Sequence, residues 1–600
     1  MEKFETTETT GSTQLVETTE STQTKQNKEK TAFSKRVKNV WKAFLGSVKE
    51  HKWIYLYFTI IGIIFLLTRL IQITELPKGL HIDEVSMGYN TWALTNFGTD
   101  RYGVSMPIYF NNAGSGQSSL YVYLAVLVSK VLGYSVFSLR VVSVFFGALL
   151  LIFGTKAAYE MFGLKCSLIT AAVIDIMPLF LMSERWAFDC NAMLPMLVMF
   201  LYFYVRLIKT QKMKYAFASG ITFGITMYSY ILAVLMLPVF VVFATIYSLI
   251  MKKITIKHIG AIFFSGLFVA SPILLYLFVV IGVIPEFHIG PISFTNASAG
   301  RANEIEWQGF SFKELMKALY TLTSYDQYDF MADDKYGVFY QNILHFFEYK
   351  ISVSQILLIV AFAAMVGIGI YSIIKKKGFS FEILMVFYMI AMIYPIFFLE
   401  QVAIYRYNAV YFSFALLLAY LFSKLWDHKR YVLCGLFALL YLYNFGSYSY
   451  YLFSGNFAED NKALAYFDYD LLELCETFDD DEYKDYQIYV DYTATYNAGL
   501  ITLYGLRVEP EIVASEVENV DSKIMTYGNI HIGIPDIIDA DQKSIFVIRD
   551  INSETTFYTT NIAQIELYKT LVINNKAKEL LMNLDTPYDI VNNYYVFKLN

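Results

Sequence analysis

SSLYVYLAVLVSKVLGY, residues 118–134, is apolar enough to read as a membrane span, and the decision about it fixes the side of every later loop. A span needs about 20 apolar residues. The other candidates are 53–73, 136–159, 166–182, 191–208, 215–232, 233–251, 259–281, 350–373, 380–398, 404–423 and 431–452, eleven in all. Counted from an inner N-terminus, the inner loops hold Lys165; Arg206, Lys209, Lys212 and Lys214; Lys252, Lys253 and Lys257; Lys375, Lys376 and Lys377; and Lys424, Lys429 and Arg430. Each loop is short and positive, as inner loops tend to be. A span at 118–134 would turn all of them outward. The segment is therefore expected to be an interfacial or re-entrant helix, which is tolerated when packed on protein or lining a cavity. An odd number of spans puts the C-terminus outside.

Composition supports a membrane protein. The 600 residues are 56% hydrophobic and 17% charged, with a mean hydropathy of +0.43; soluble domains carry about 25% charged residues. Aromatics, at 18%, suit wide interfacial belts. The net charge of −6 hides a split: residues 457–600 hold 26 acids against 10 Lys and Arg. That tail is expected to be a separate outer domain. The N-terminal residues are not expected to be a cleavable signal peptide. Residues 1–24 are Thr-, Glu- and Gln-rich and read as disordered, while 25–52 carry nine Lys and Arg, a cytoplasmic flank before an uncleaved anchor. The domains are then 1–52, a transmembrane region 53–456 with outer loops 74–135 and 282–349, and the tail 457–600.

Cys166, Cys190, Cys434 and Cys475 have neither metal nor redox spacing, and the seven histidines are scattered. In the tail, an amphipathic helix (458–478), strand-like runs at Gln487–Tyr492, Ile530–Ile534 and Ser544–Ile548, a helix at 562–582 and a last strand at Tyr594–Leu599 predict a small α/β fold. No internal repeat suggests a transporter built from inverted halves.

Candidate chemistry gathers outside. Asp83 and Glu84 follow the first span in Gly79-Leu80-His81-Ile82-Asp83-Glu84. On a helix, neighbours point about 100° apart, so one of the two would face a cavity. The plainer alternative is a pair of solvated acids in a helix first turn. Arg185 and Asp189 are four apart and would share a helical face. Asp175 lies inside a span, where acids are costly; Pro178 nearby offers a structural reason for it. Arg406, in Tyr405-Arg406-Tyr407-Asn408, is an outer-side arginine with a fork suited to phosphate; headgroup snorkelling is its alternative. Arg301 and Lys335 in the long loop are weaker phosphate candidates, and Asp333-Asp334 reads as a solvated turn.

Together these residues resemble the GT-C class of membrane glycosyltransferases. The closest likeness is to protein O-mannosyltransferases and the aminoarabinose transferase that modifies lipid A. It covers 53–452 and rests on the apolar first span, the Asp83-Glu84 loop, Tyr102-Gly103-Val104-Ser105-Met106-Pro107 and the aliphatic run Leu120 to Leu124. The mannosyltransferases carry an Asp-Glu pair in the first outer loop and an Arg-x-x-x-Asp run at the fourth span, here Arg185 to Asp189; Arg406-x-Asn408 is similar to a late motif of bacterial members. The three β-trefoil repeats of the eukaryotic enzymes are missing, which puts a protein acceptor in doubt.

The resemblance implies a polytopic α-helical membrane protein, GT-C-like, with a small C-terminal extracytoplasmic α/β domain. It implies an inverting hexosyltransferase moving a sugar from a polyprenyl-phosphate donor to an acceptor hydroxyl on a glycan, lipid or protein at the outer face. Asp83, or Glu84 in its place, would be the general base, with Asp189 joining the site. Arg406, with Arg185, Arg301 or Lys335, would hold the donor phosphate; His81, Tyr89 and Asn408 would touch substrate. No cofactor is required, because fixed cations can carry the phosphate charge; a divalent ion is compatible with this but not indicated. The expected partners are the donor, the acceptor and the bilayer, without nucleic acid. Lys-, Asn-, Ile- and Tyr-rich usage points to a low-GC bacterium and so to its plasma membrane. A flippase for lipid-linked sugars is the alternative from another class; such proteins usually show paired broken helices at midplane.

Overall fold

The computed structural model describes residues 49–112, 115–295, 309, 311–324, 353–376, 378–398, 405–455, 457, 469–478, 481–491, 498–515, 517–519, 524–533, 535, 542–549 and 594–599. The chain divides into two units, Met1–Leu67 and Thr68–Asn600. Helix α1, Lys52–Leu70, carries no charge between Lys52 and Arg69.

The protein is a multi-pass integral membrane protein. Eight helices among the described residues are long and apolar enough to cross a bilayer. After α1 come α2 (Ile82–Asn96), a hairpin of β1 (Phe110–Asn112) and β2 (Ser115–Gln117), α3 (Ser119–Leu132), α4 (Val136–Phe162), α5 (Leu164–Ile176), α6 (Pro178–Ser183) and α7 (Met193–Thr210). Then follow α8 (Met213–Thr226), α9 (Ile231–Ile250), α10 (Ile256–Val280), strands β3 (Phe287–Ile289) and β4 (Ile292–Phe294), α11 (Phe312–Ser324), α12 (Val353–Lys376), α13 (Phe381–Ile393), α14 (Ala409–Asp427) and α15 (Tyr431–Phe453).

Three of the eleven expected spans are interrupted or shorter. At 166–182, α5 stops before Pro178 and α6 restarts on it, because proline offers no backbone N–H and crowds the preceding turn. At 215–232, α8 ends at Thr226 and the chain is extended by Tyr230. At 380–398, α13 gives way to a 3-10 turn, Tyr394–Phe397, that contains Pro395. Helix α3 has 14 residues. At about 1.5 Å per residue it is some 21 Å long, short of a hydrocarbon core of about 30 Å. One face of it, Tyr121, Val122 and Ala125, is buried, while Leu127, Val131 and Leu132 are exposed.

The C-terminal region holds α16 (Tyr469–Phe478), β5 (Gln487–Val490), α17 (Ala498–Gly505), α18 (Pro510–Ala514), β6 (Val517–Asn519), β7 (Ile524–Tyr527), β8 (Ile530–Ile532), β9 (Ser544–Arg549) and β10 (Tyr594–Leu599). The strands form one mixed sheet in the order β10-β9-β5-β8-β7-β6, with β9, β5 and β8 parallel and the outer pairs antiparallel. Residues 458–468 and 562–582, expected to be helical, lie outside the described residues. Leu80, Val85 and Tyr89, at and before α2, belong to the same apolar core as Leu471, Ile488 and Ile532 of this region. Helix α2 is therefore half of an interface that spans some 400 positions of sequence, as the Tyr89–Val508 separation of 419 shows.

Candidate active site

Helix α2 begins on His81. The Nδ1 of His81 accepts from Asp83 N at 3.1 Å, and Glu84 Oε2 accepts from His81 N at 3.1 Å. The two side chains close the helix start reciprocally, as a capping box does. The adjacent acids then part company.

Glu84 is fully buried and saturated. Arg140 grips it as a fork, Nε to Oε1 at 2.9 Å and Nη2 to Oε2 at 3.0 Å. Ala187 N donates to Oε1 at 2.7 Å. Arg140 also donates to the carbonyls of Ile73, Pro77 and Gly79 at 2.9, 2.8 and 2.6 Å. This bidentate pair, of the strong charge-assisted kind, ties the connection after α1 to α4. A carboxylate so occupied has no open lone pair to receive a substrate proton.

Asp83 points elsewhere and keeps 26% of its side chain exposed, with Oδ2 3.7 Å from His81 Nδ1. Asn112 Nδ2 donates to Oδ1 at 3.3 Å. Burial holds the His81 imidazole below its usual pKa, against the pull of Asp83 and Glu84. A neutral ring agrees with Nδ1 acting as acceptor in the cap. The His81 ring meets Phe188 at 4.7 Å, and Phe188 meets Tyr405 at 5.4 Å. Arg406 lies over the Tyr405 ring, 5.8 Å from its centroid. Asp83, His81, Tyr405 and Arg406 thus come together from two distant parts of the chain.

Other sequence candidates fall elsewhere. Arg185 and Asp189 do not share a helical face, because residues 184–188 form a turn and extended chain between α6 and a 3-10 turn at Asp189–Ala192. Arg185 instead donates to the carbonyls of Thr68, Ile71, Gln72 and Leu76, at 2.7 to 3.1 Å. It closes the carbonyl end of α1, where a cation is favoured. Asp189 Oδ2 accepts from Ser118 N at 3.0 Å, placing a carboxylate at the start of α3. Tyr89 is buried and donates to Val508 O at 2.6 Å, turned away from Asp83. Six positions at about 100° each carry it well round the helix. Asn408 Nδ2 donates to Cys190 O at 2.8 Å. Arg301, Lys335 and Asp333-Asp334 lie outside the described residues.

Three buried arginines lie outside the sequence candidates: Arg69, Arg101 and Arg140. For Arg69 and Arg140, a charge inside an apolar run is a usable signal. Arg101 donates to Ser86 Oγ at 2.7 Å and to Asn111 O at 3.0 Å. Arg69 meets Asp175 Oδ1 at 3.1 Å and Glu184 Oε2 at 2.8 Å. Asp175 therefore has a structural partner. Burial pushes the Glu184 carboxyl up to about 7, with Arg69 opposing. Glu184, Ser143, Asn191, Tyr405 and Asn408 are among the residues lining a small cavity of about 20 Å³, room for a water or two. Among the described residues no three His, Cys, Asp or Glu side chains gather as a metal site.

Residues 117–276 match the dolichyl-phosphate-mannose-protein mannosyltransferase family. The match takes in α3 to α10 and Asp189, and leaves Asp83, Glu84 and Arg406 outside it. No curated protein matches the chain. Crystal structures of ArnT from Cupriavidus metallidurans, bound to undecaprenyl phosphate and in the apo state, are similar over 92% of this chain and 98% of theirs, at 11% identity and a TM-score of 0.52. The Archaeoglobus fulgidus oligosaccharyltransferase in complex with zinc and sulfate is similar over 75% of this chain and 61% of its own, at 16% identity and a TM-score of 0.49. The protein has the GT-C fold that ArnT has. Within that fold, one open carboxylate lies near an arginine at an aromatic cluster, beside a second carboxylate that is fully engaged.

Proposed function

We propose that this chain is an inverting glycosyltransferase that moves a sugar from a polyprenyl-phosphate donor to an acceptor hydroxyl on the outer face of a bacterial plasma membrane. The observation that carries the reading is the split between the two acids: Glu84 is locked to Arg140, and Asp83 keeps an open carboxylate near Tyr405 and Arg406. The likeness to ArnT, crystallised with undecaprenyl phosphate, supports the donor class.

Asp83 takes the proton of the acceptor hydroxyl. The acceptor oxygen attacks the anomeric carbon from the face opposite the phosphate, and the bond from that carbon to the phosphate oxygen breaks. Its electron pair leaves with the polyprenyl phosphate, whose gained charge Arg406 stabilises. Asn112 donates to Asp83 and orients it. Glu84 serves as a positioning residue rather than a second base. The same reading has eleven crossings, the N-terminus in the cytoplasm, the region 457–600 outside, and α3 packed at the membrane edge.

Purified protein incubated with radiolabelled polyprenyl-phosphate hexose tests the class. Release of free polyprenyl phosphate that depends on an added acceptor supports transfer. Movement of intact donor across liposomes without release contradicts it and favours a flippase.

A further inference from the structure

The C-terminal region does more than rest on the membrane bundle: its core is completed by α2, the helix that carries Asp83. Val85 and Tyr89 of α2 are buried in that core. The hydroxyl of Tyr89 bonds Val508 O at 2.6 Å. Immediately before Tyr89, Gly88 is crowded so closely that a Cβ would lie 2.8 Å from Tyr134 Oη and 3.2 Å from Tyr504 Cε2.

Those two tyrosines join hydroxyl to hydroxyl at 2.6 Å, Tyr134 from the connection between α3 and α4 and Tyr504 from α17. Arg507 covers both rings, 5.2 Å from the Tyr134 centroid and 4.4 Å from that of Tyr504. It does so from a left-handed backbone, φ 52°, and donates to Tyr504 O at 3.2 Å. A non-glycine residue holds that conformation when its surroundings over-determine it. Cation–π contacts of this kind contribute most when desolvated.

Helix α2 is thus held at two places one turn apart. The Glu84–Arg140 pair fixes it to the bundle, and Gly88 and Tyr89 fix it to the C-terminal region. Asp83 stands at the free edge of this double clamp. A base must sit within hydrogen-bond reach of the proton it removes, and a misplacement of about 1 Å can cost about 10²-fold in rate.

We propose that Tyr134, Tyr504 and Arg507 form a latch through which the C-terminal region sets the position of α2, making them positioning residues for the transfer. This rests on Asp83 being the base. The latch predicts that weakening it slows turnover without weakening donor binding, since none of the three touches the Asp83 carboxylate.

The test uses the full-length protein with Tyr504→Phe, Arg507→Met and Gly88→Ala, and Asp485→Asn, on the exposed surface, as control. Hydrogen exchange over residues 82–96, thermal midpoint, binding of undecaprenyl phosphate, and kcat and KM with polyprenyl-phosphate hexose are read together. Tyr504→Phe removes one hydroxyl and keeps the ring, so it leaves a folded protein to measure. The expected result is faster exchange across α2 and a kcat lower by about tenfold for Arg507→Met, with KM and lipid binding within about twofold. The control should match the parent. Unchanged exchange and unchanged kcat in folded variants would overturn the latch, as would losses of kcat that only track the thermal midpoint. Faster α2 exchange alongside full activity in Asp83→Asn would instead overturn the base and leave the latch standing.

Discussion

Glu84 and Arg140 meet fork to fork, 2.9 and 3.0 Å apart, with both side chains fully buried. Adjacent in sequence to Asp83, Glu84 is fixed by a residue 56 positions away. The pair engages one acid of the Asp-Glu motif and leaves the other, Asp83, with 26% of its side chain exposed.

Breaking that pair should cost stability. Removing one partner of a buried ion pair leaves the other charge uncompensated, at about 3–5 kcal/mol. Glu84→Gln is expected to lower the thermal midpoint in detergent well below that of Asp83→Asn. Equal midpoints would contradict the assignment of Glu84 as the holding residue.

The His81 cap should make stability depend on pH. Burial lowers the folded-state pKa of His81 below the ordinary 6.5, so the unfolded chain binds the proton first. Stability from this group is then complete above 6.5 and lost as pH falls from there toward the folded value. His81→Asn keeps a capping side chain without a titrating ring. Its thermal midpoint should fall less between pH 7.5 and 5.5 (about two units spanning the histidine range) than that of the parent. Parallel curves would remove His81 as the source.

Gly147 makes room for the Glu184 carboxyl, since a Cβ there would lie 2.5 Å from Glu184 Cδ. Gly147→Ala is expected to displace Glu184 from Arg69 and cost about 1–3 kcal/mol, the usual range for overpacking. A midpoint equal to the parent's would show that Glu184 moves aside freely.

Asp189 Oδ2 bonds Ser118 N at the start of α3. Asp189→Ala should destabilise by about 1 kcal/mol, as lost caps do, while Asp189→Asn retains most of the effect. Denaturation of the two variants in the same detergent distinguishes them; a larger loss in turnover than in stability would return Asp189 to the reacting group.

Much of the helical framework was legible in the sequence, because lipid demands long apolar runs and eight helices of the described residues are long and apolar enough to cross a bilayer. Helix α3 was legible as a helix from the apolar run it occupies, Ser119–Leu132. Which of the two acids, Asp83 or Glu84, is engaged was not legible, since it depends on where Arg140 points. The partners of Arg185 were not legible: its spacing to Asp189 suggests one helical face, but a turn at 184–185 frees its side chain to reach the carbonyls of Thr68 and Ile71. The partner of Tyr89 was not legible, because Val508 lies 419 positions away in the tail. The β6–β7 pair was not legible, because a three-residue strand such as Val517–Asn519 carries too little alternation.

The most direct test of the central claim is the turnover of Asp83→Asn with polyprenyl-phosphate hexose and acceptor, measured beside its binding of undecaprenyl phosphate. With Asp83 as the base, turnover falls by about 10² or more while lipid binding stays at the parental level. Parental turnover in a folded Asp83→Asn protein would contradict it.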